Sequence, residues 1–248
     1  MNRFSKPAGM AAFLWRLILT TGTGSIFGFL IARTAFGSAL LAPMFIIMSF
    51  AFGLAIFILV LFAAYRWSGR ELGDVLVARL KNLLGVFVAS VLYFVIVYHL
   101  TNLYFTARHD VERFLLVDGG IYTRLFWIGQ ILIGSVLPLI MLFHGGLSKS
   151  RAVIGIASVL VIVGGLAQMY ILIIGGQAYP LEIFPGMEVS SSFGDGVVAA
   201  YQPTLPEALL GLGGFALALI ATALAVKVLP FLPASLSDKA IDPHYKAE

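Results

Sequence analysis

Six apolar runs fill most of the chain, at residues 12–33, 40–65, 83–105, 121–144, 152–174 and 205–229. A helix rises about 1.5 Å per residue and a bilayer's hydrocarbon core is about 30 Å thick, so about 20 residues suffice to cross it. Every run meets that length. Only 11% of residues are charged and the mean hydropathy is +0.99, whereas a soluble domain carries about 25% charge. The reading is an all-α integral membrane protein, a bundle of about six transmembrane helices forming a single membrane domain over residues 1–248.

A bundle of this kind uses up the 248 residues. The soluble parts are short: two tails, the second at 235–248, connectors at 66–82 and 106–120, and a longer one at 175–204. A large soluble active site has no place here. The net charge of +4 is modest, and basic residues in such a chain mark cytoplasmic loops rather than nucleic-acid contacts. With no cysteine, the chain has no thiolate for an iron–sulfur cluster, a c-type haem or a disulfide. The first run is longer than a signal-peptide core and lacks a small-x-small cleavage site, so it reads as a span.

Charge sets an expected orientation. With alternating crossings, the side bearing both termini holds 12 of the 16 Lys and Arg residues, and the other holds Arg33, Arg108, Arg113 and Arg124. The positive-inside rule makes both termini cytoplasmic. The 175–204 loop, which has acidic but no basic residues, then faces out. Trp15 and Trp67 fit an inner aromatic belt, and Tyr104, Tyr122 and Trp127 an outer one.

Local motifs add detail. Gly24-x-x-x-Gly28, Ser49-x-x-x-Gly53 and the Gly211/Gly214 pair have the small-residue spacing that lets helices approach closely. The Thr20–Ser25 cluster admits a second reading as a polar path. Pro138 is expected to kink its helix and free a carbonyl near Gly134. Thr204, Pro206 and Glu207 make a helix start with a capping box. The tail after Ser235 reads as polar and loosely ordered. In 108–113, Arg108 with Glu112 and Asp110 with Arg113 have the spacing of weak pairs on a short interfacial helix, read as a solvated connector or, more sharply, as a docking or proton-entry surface.

Polar side chains inside spans are expensive and point to function. His99 lies about 9 Å from the outer end of its span, Gln130 about 13 Å and Gln168 about 9 Å. Asn102 shares a helix face with His99. A quinone headgroup fits such a layer: two carbonyls to hydrogen-bond, apolar walls, and a histidine suited to proton exchange near neutral pH. The plainer reading is that these groups link helices. His99 and His144 lie near opposite faces and cannot ligate one haem, so no haem is expected.

Several segments carry a resemblance. They are Ile31–Thr34 with Ser38–Phe45, His99–Tyr104, and Leu125–Gln130 with Pro138. The most specific is Gly164–Tyr170 continuing to Ile174–Pro180. Their order resembles the NrfD/PsrC (polysulfide reductase membrane subunit) family, and within it the DsrP branch. The resemblance implies about two four-helix bundles in full-length members, of which this chain is similar to the later part. Part of the earlier bundle, with which the family's quinone site is associated, is expected to be missing. It also implies a bacterial or archaeal cytoplasmic-membrane subunit without its own haem or iron–sulfur cluster. Such a subunit exchanges electrons between quinone or menaquinone and a docked ferredoxin-like iron–sulfur subunit of a respiratory or sulfur-metabolism complex. Relatives often carry Glu where Gln130 stands, and Gln cannot titrate. His99, Asn102, Gln130 and Gln168 are the candidate quinone contacts. Glu182, Phe184, Glu188 and Phe193 are candidate docking residues for a partner. A purely structural anchor is the alternative reading, and a small-solute transporter a weaker one, since no carboxylate lies inside a span.

Overall fold

A computed structural model describes residues 2–180 and 196–229, then 232, 233 and 235–241. The docking candidates Glu182, Phe184, Glu188 and Phe193 lie outside the described residues. Long apolar stretches that cannot hydrogen-bond to lipid must satisfy their backbone internally, and they do so as helices. These are α1 (Asn2–Phe29), α2 (Leu41–Ser68), α3 (Asp74–Tyr104), the short α4 (His109–Arg113), α5 (Ile121–Phe143), α6 (Arg151–Ala178), α7 (Leu205–Val228) and the short α8 (Asp238–Ile241). There is no strand among the described residues. Six of the helices are long and apolar enough to cross a membrane, and large apolar side chains such as Phe57, Val86, Ile128 and Leu166 face outward. An apolar exterior of this extent belongs in lipid. The protein is an all-α, multi-pass integral membrane protein.

The long helices alternate in direction. At one end, here the Arg33 end, Arg33 Nη1 donates to Gln177 O at 2.8 Å and Tyr98 Oη to Ala35 O at 3.0 Å. At the opposite, Arg70 end, Arg151 Nη2 donates to Asp74 Oδ1 at 2.6 Å. α2, α3, α5 and α6 form a four-helix bundle, and α1 packs along α2. The bundle has two core layers. Met44, Met48, Val95, Leu115 and Ile171 fill the Arg33 half, and Ile58, Leu84, Leu142 and Val161 the other. None of α7 is buried.

Close packing falls only partly where the small-residue spacing places it. A Cβ built on Gly24 would lie 2.7 Å from Ala42 Cα, and one on Gly28 3.1 Å from Ser38 O. Gly53, Gly211 and Gly214 face open space instead, because their helix faces have no neighbour at that level. The closest backbone approach between helices is one the spacing does not announce: a Cβ on either Gly134 or Gly164 would run into the other's Cα, so α5 and α6 meet backbone to backbone. The Thr20, Thr21 and Thr23 hydroxyls each donate to the carbonyl four residues back. Arg16 lines a groove with Met48 and Ser49, well inside the span, and so is no end-of-helix charge. Tyr122 is buried at 5% exposure. It is a core residue against Tyr170 and no part of an outer belt.

The tail also departs from expectation. Arg70 Nη1 donates to the carbonyls of Leu232 and Pro233 at 2.8 and 3.0 Å. Gly73 N donates to Leu236 O at 2.7 Å, and Val75 N to Asp238 Oδ1 at 2.9 Å. α3 starts at Gly73, which has no side chain to cap it. Asp238 reaches across from the tail and supplies the missing acceptor for an orphan first-turn N–H. That is why residues 235–239 are seated rather than loose. At α7 the expected capping box forms, with Glu207 Oε2 accepting from Thr204 N at 2.7 Å.

Candidate functional site

The irregular helical turns converge on one place. Residues Phe114–Asp118, Leu125–Val136 within α5, and Ile171–Gly175 within α6 are π-helical. In α5 the Leu137 N–H donates to Leu132 O, five residues back, and Ser135 Oγ donates to Gln130 O at 3.1 Å. The irregularity thus runs ahead of Pro138 as a wide-wound segment, where the sequence alone suggests a local kink. Single π turns recur at functional sites because they re-aim side chains. Here each π segment contributes to the wall of the same cavity, with Leu115 from the first, Phe126 and Gln130 from the second, and Ile171 and Leu172 from the third. Tyr98 and His99 of α3, and Ala35 from the α1–α2 connector, complete it.

His99, Gln130 and Gln168, three residues picked out by depth alone, all line this cavity. A smaller void lies among α2, α3, α5 and α6, again beside Gln130 and Gln168. Gln168 is 4% exposed and Gln130 5%. The Gln168 Nε2 amide is buried with no hydrogen-bond partner, and an unpaired buried donor costs about 1–3 kcal/mol. Asn102, the fourth candidate, does not line the cavity. It sits behind His99, its Nδ2 donating to Glu112 Oε1 at 2.8 Å and its Oδ1 accepting from Arg108 Nη1 at 2.8 Å.

Glu112 is the residue that sequence reasoning misplaces. Expected on a solvated connector opposite Arg108, it is fully buried, at 0% exposure, and lies 2.6 Å from His99 Nδ1. Residues Thr106–Arg108 form a single tight turn that breaks helical register and folds α4 back onto α3. Arg108 then points to Asn102 and to Gly37 O, 2.8 Å away, and Arg113 pairs with Asp118 at 2.7 Å rather than with Asp110. The signal lay in the neighbours: Val111 precedes Glu112, and Phe114, Leu115 and Leu116 follow, too apolar a setting for a solvated acid.

The chemistry of this arrangement is specific. Glu112 and His99 share one short hydrogen bond at Nδ1, which leaves Nε2 as the other ring nitrogen. The Phe126 ring packs edge-on against the imidazole, 4.8 Å between centroids, and Tyr98 holds the connector above. The cavity is therefore walled by an imidazole backed by a buried carboxyl, by the Gln130 and Gln168 side chains and by apolar groups, and the unpartnered Gln168 N–H is buried beside it. Its volume is about 30 Å³, room for a water or two and less than a six-membered ring. No group of three or more His, Asp or Glu that suits a metal occurs among the described residues.

Comparison with known proteins places the chain. An integral membrane subunit of an Hdr-like menaquinol oxidoreductase from Archaeoglobus fulgidus is 27% identical over 95% of this chain and 60% of its own length. A selenate reductase subunit from Mesobacillus selenatarsenatis is 28% identical over 92% of this chain and 52% of its own length. A putative dimethyl sulfoxide reductase membrane subunit from Halobacterium salinarum is 27% identical over 84% of this chain and 49% of its own length. The chain thus spans about half to three-fifths of the length of these relatives. No solved structure matches it. Residues 2–180 match the profile described as polysulphide reductase, NrfD, and with that coverage the chain belongs to the NrfD polysulphide reductase family.

Proposed function

We propose that this chain is the quinone-interacting membrane subunit of a respiratory redox complex, exchanging electrons between the quinone pool and an iron–sulfur subunit docked on it. The observation that carries the reading is the buried His99–Glu112 pair beside the unpartnered Gln168 amide. A quinol bound there donates a hydroxyl proton to His99 Nε2, and Glu112 stabilises the imidazolium that forms. Gln168 Nε2 donates to the second oxygen. Oxidation to the quinone gives up two electrons, which leave to the partner, and two protons, one taken by His99 Nε2 and the other passed from the second hydroxyl to a water in the cavity. Menaquinol is the quinone named for the Archaeoglobus relative, and the motif order favours the DsrP branch and a sulfur-metabolism complex. The chain lies in the cytoplasmic membrane with both termini inside. Leaving out Arg16, which is not at a helix end, the basic residues still divide 11 to 4, in the sense of the positive-inside rule.

Binding requires the walls to part, since the cavity is smaller than the ring. That single observation favours the second reading, a structural anchor whose partners hold the chemistry. Quinone-analogue binding separates the two. His99→Leu and Gln168→Leu are each expected to weaken it by a factor of about 5 to 150, the effect of losing one buried hydrogen bond, while the complex still assembles. Unchanged quinol turnover in both variants, at normal expression, makes these residues packing contacts and the chain an anchor.

A further inference from the structure

α7 runs beside α2 without burying any of its residues, and the space between them is not empty of character. At the Arg70 end a hollow of about 320 Å³ opens, with Arg70, Lys227 and Ser68 in its wall. A second hollow of about 260 Å³ follows the helices toward the bilayer centre, walled by Val60, Ala63, Leu219 and Ala223. Ala64, Trp67 and Val226 line both, so the two form one continuous slot, basic at its mouth and apolar along its length.

The mouth lies where the helices end. α2 stops at Ser68, capped by Gly69 in the left-handed conformation at φ 64°, and α7 stops at Val228. That is the depth of lipid headgroups, and Trp67 is the kind of residue found there. Arg70 is held from one side, with Nη1 committed to the Leu232 and Pro233 carbonyls. A guanidinium has further donors in a fixed fork that suits phosphate oxygens. Lys227 adds a second positive charge from α7.

We infer that this slot binds one anionic phospholipid, its phosphate between Arg70 and Lys227 and an acyl chain in the groove between α2 and α7. The two-part chemistry selects this occupant. A free anion fills the mouth and leaves the groove open. Another protein helix covers the groove and meets both cations only if it carries an acidic side chain at the level of its mouth. A zwitterionic lipid carries its own ammonium into a site that already holds two positive charges. Basic pockets between membrane helices are a recognised way of holding acidic headgroups. The lipid fills the gap that leaves α7 unburied and ties it to the bundle.

The test is lipid retention by the full chain purified in detergent from native membranes, with extracted phospholipid identified by mass spectrometry. Wild type is expected to retain about one acidic phospholipid per chain, enriched over the bulk membrane. Lys227→Gln, which leaves the Arg70–tail contacts alone, is expected to reduce retention about fivefold, and Arg70→Gln with Lys227→Gln further. Ala223→Trp fills the groove and is expected to abolish retention with both cations present. Added phosphatidylglycerol should raise the wild-type melting temperature, while phosphatidylcholine and inorganic phosphate leave it unchanged. Bulk-like lipid composition in wild type, equal retention in all variants, or equal stabilisation by phosphatidylcholine or phosphate overturns the inference. So does a protein crosslink from Ala223→Cys in intact membranes.

Discussion

Glu112 is fully buried and makes two short hydrogen bonds, to His99 and Asn102. A buried carboxyl needs its hydrogen bonds, and Arg108 lies behind Asn102, which it also holds. Glu112→Gln keeps the shape and removes the charge. Quinol turnover is expected to fall about 10²-fold or more, the usual range for losing a general base's support, with analogue binding changed much less. Turnover close to wild type would show that His99 works without its carboxylate. Asn102→Leu is expected to act differently, through stability: it takes one hydrogen-bond partner each from Glu112 and Arg108, a change on the order of 1–3 kcal/mol, visible in thermal unfolding of the detergent-solubilised chain. His99, Gln130 and Gln168 were legible from the sequence because polar residues stand out within apolar spans, and helix rise converts position into depth. Glu112 was not, because its partner lies across a chain reversal and its spacing to Arg108 imitates a local pair.

Among the elements, α3 shows how a helix start is completed from far along the chain. Asp238→Ala removes the acceptor for Val75 N–H and is expected to lower stability by about 1 kcal/mol, read as a lower melting temperature, while Lys239→Ala on the same tail segment changes little. A sequence reading finds caps among adjacent residues, as it does for Thr204 and Glu207. It has no means of finding one 163 positions away. Pro138 was legible as a disturbance, but the form it takes was not. A π-wound segment depends on what the neighbouring helix allows, and here Gly164 lets Gly134 come so close that α5 can widen without a clash.

Over the whole molecule, six apolar runs gave the helix count and the membrane class because length and hydropathy decide both. The way the helices pack was less legible. α7 matches the other spans in composition, yet it stands outside the four-helix bundle. Orientation is tested by placing cysteines at Ala200 and Lys239, on opposite ends of the molecule. An impermeant thiol reagent applied to intact cells is expected to label Ala200→Cys and spare Lys239→Cys, and the reverse pattern inverts the topology.

The contact between Gly134 and Gly164 has a mechanical meaning. Two helices that touch at bare backbone, with no interlocked side chains at that level, have a fulcrum there. Rocking about it is expected to spread the Gln130 and Gln168 side of α5 and α6 while the Ile154, Ala157 and Leu142 layer beyond it stays packed. Gly134→Ala jams this hinge: beyond a stability loss of about 1–3 kcal/mol from overpacking, it is expected to slow the entry of a ring-sized ligand more than its release, measurable as a reduced association rate for a quinone analogue. A cavity sized for water is then one half of a bellows, and anything the width of a ring needs the other half.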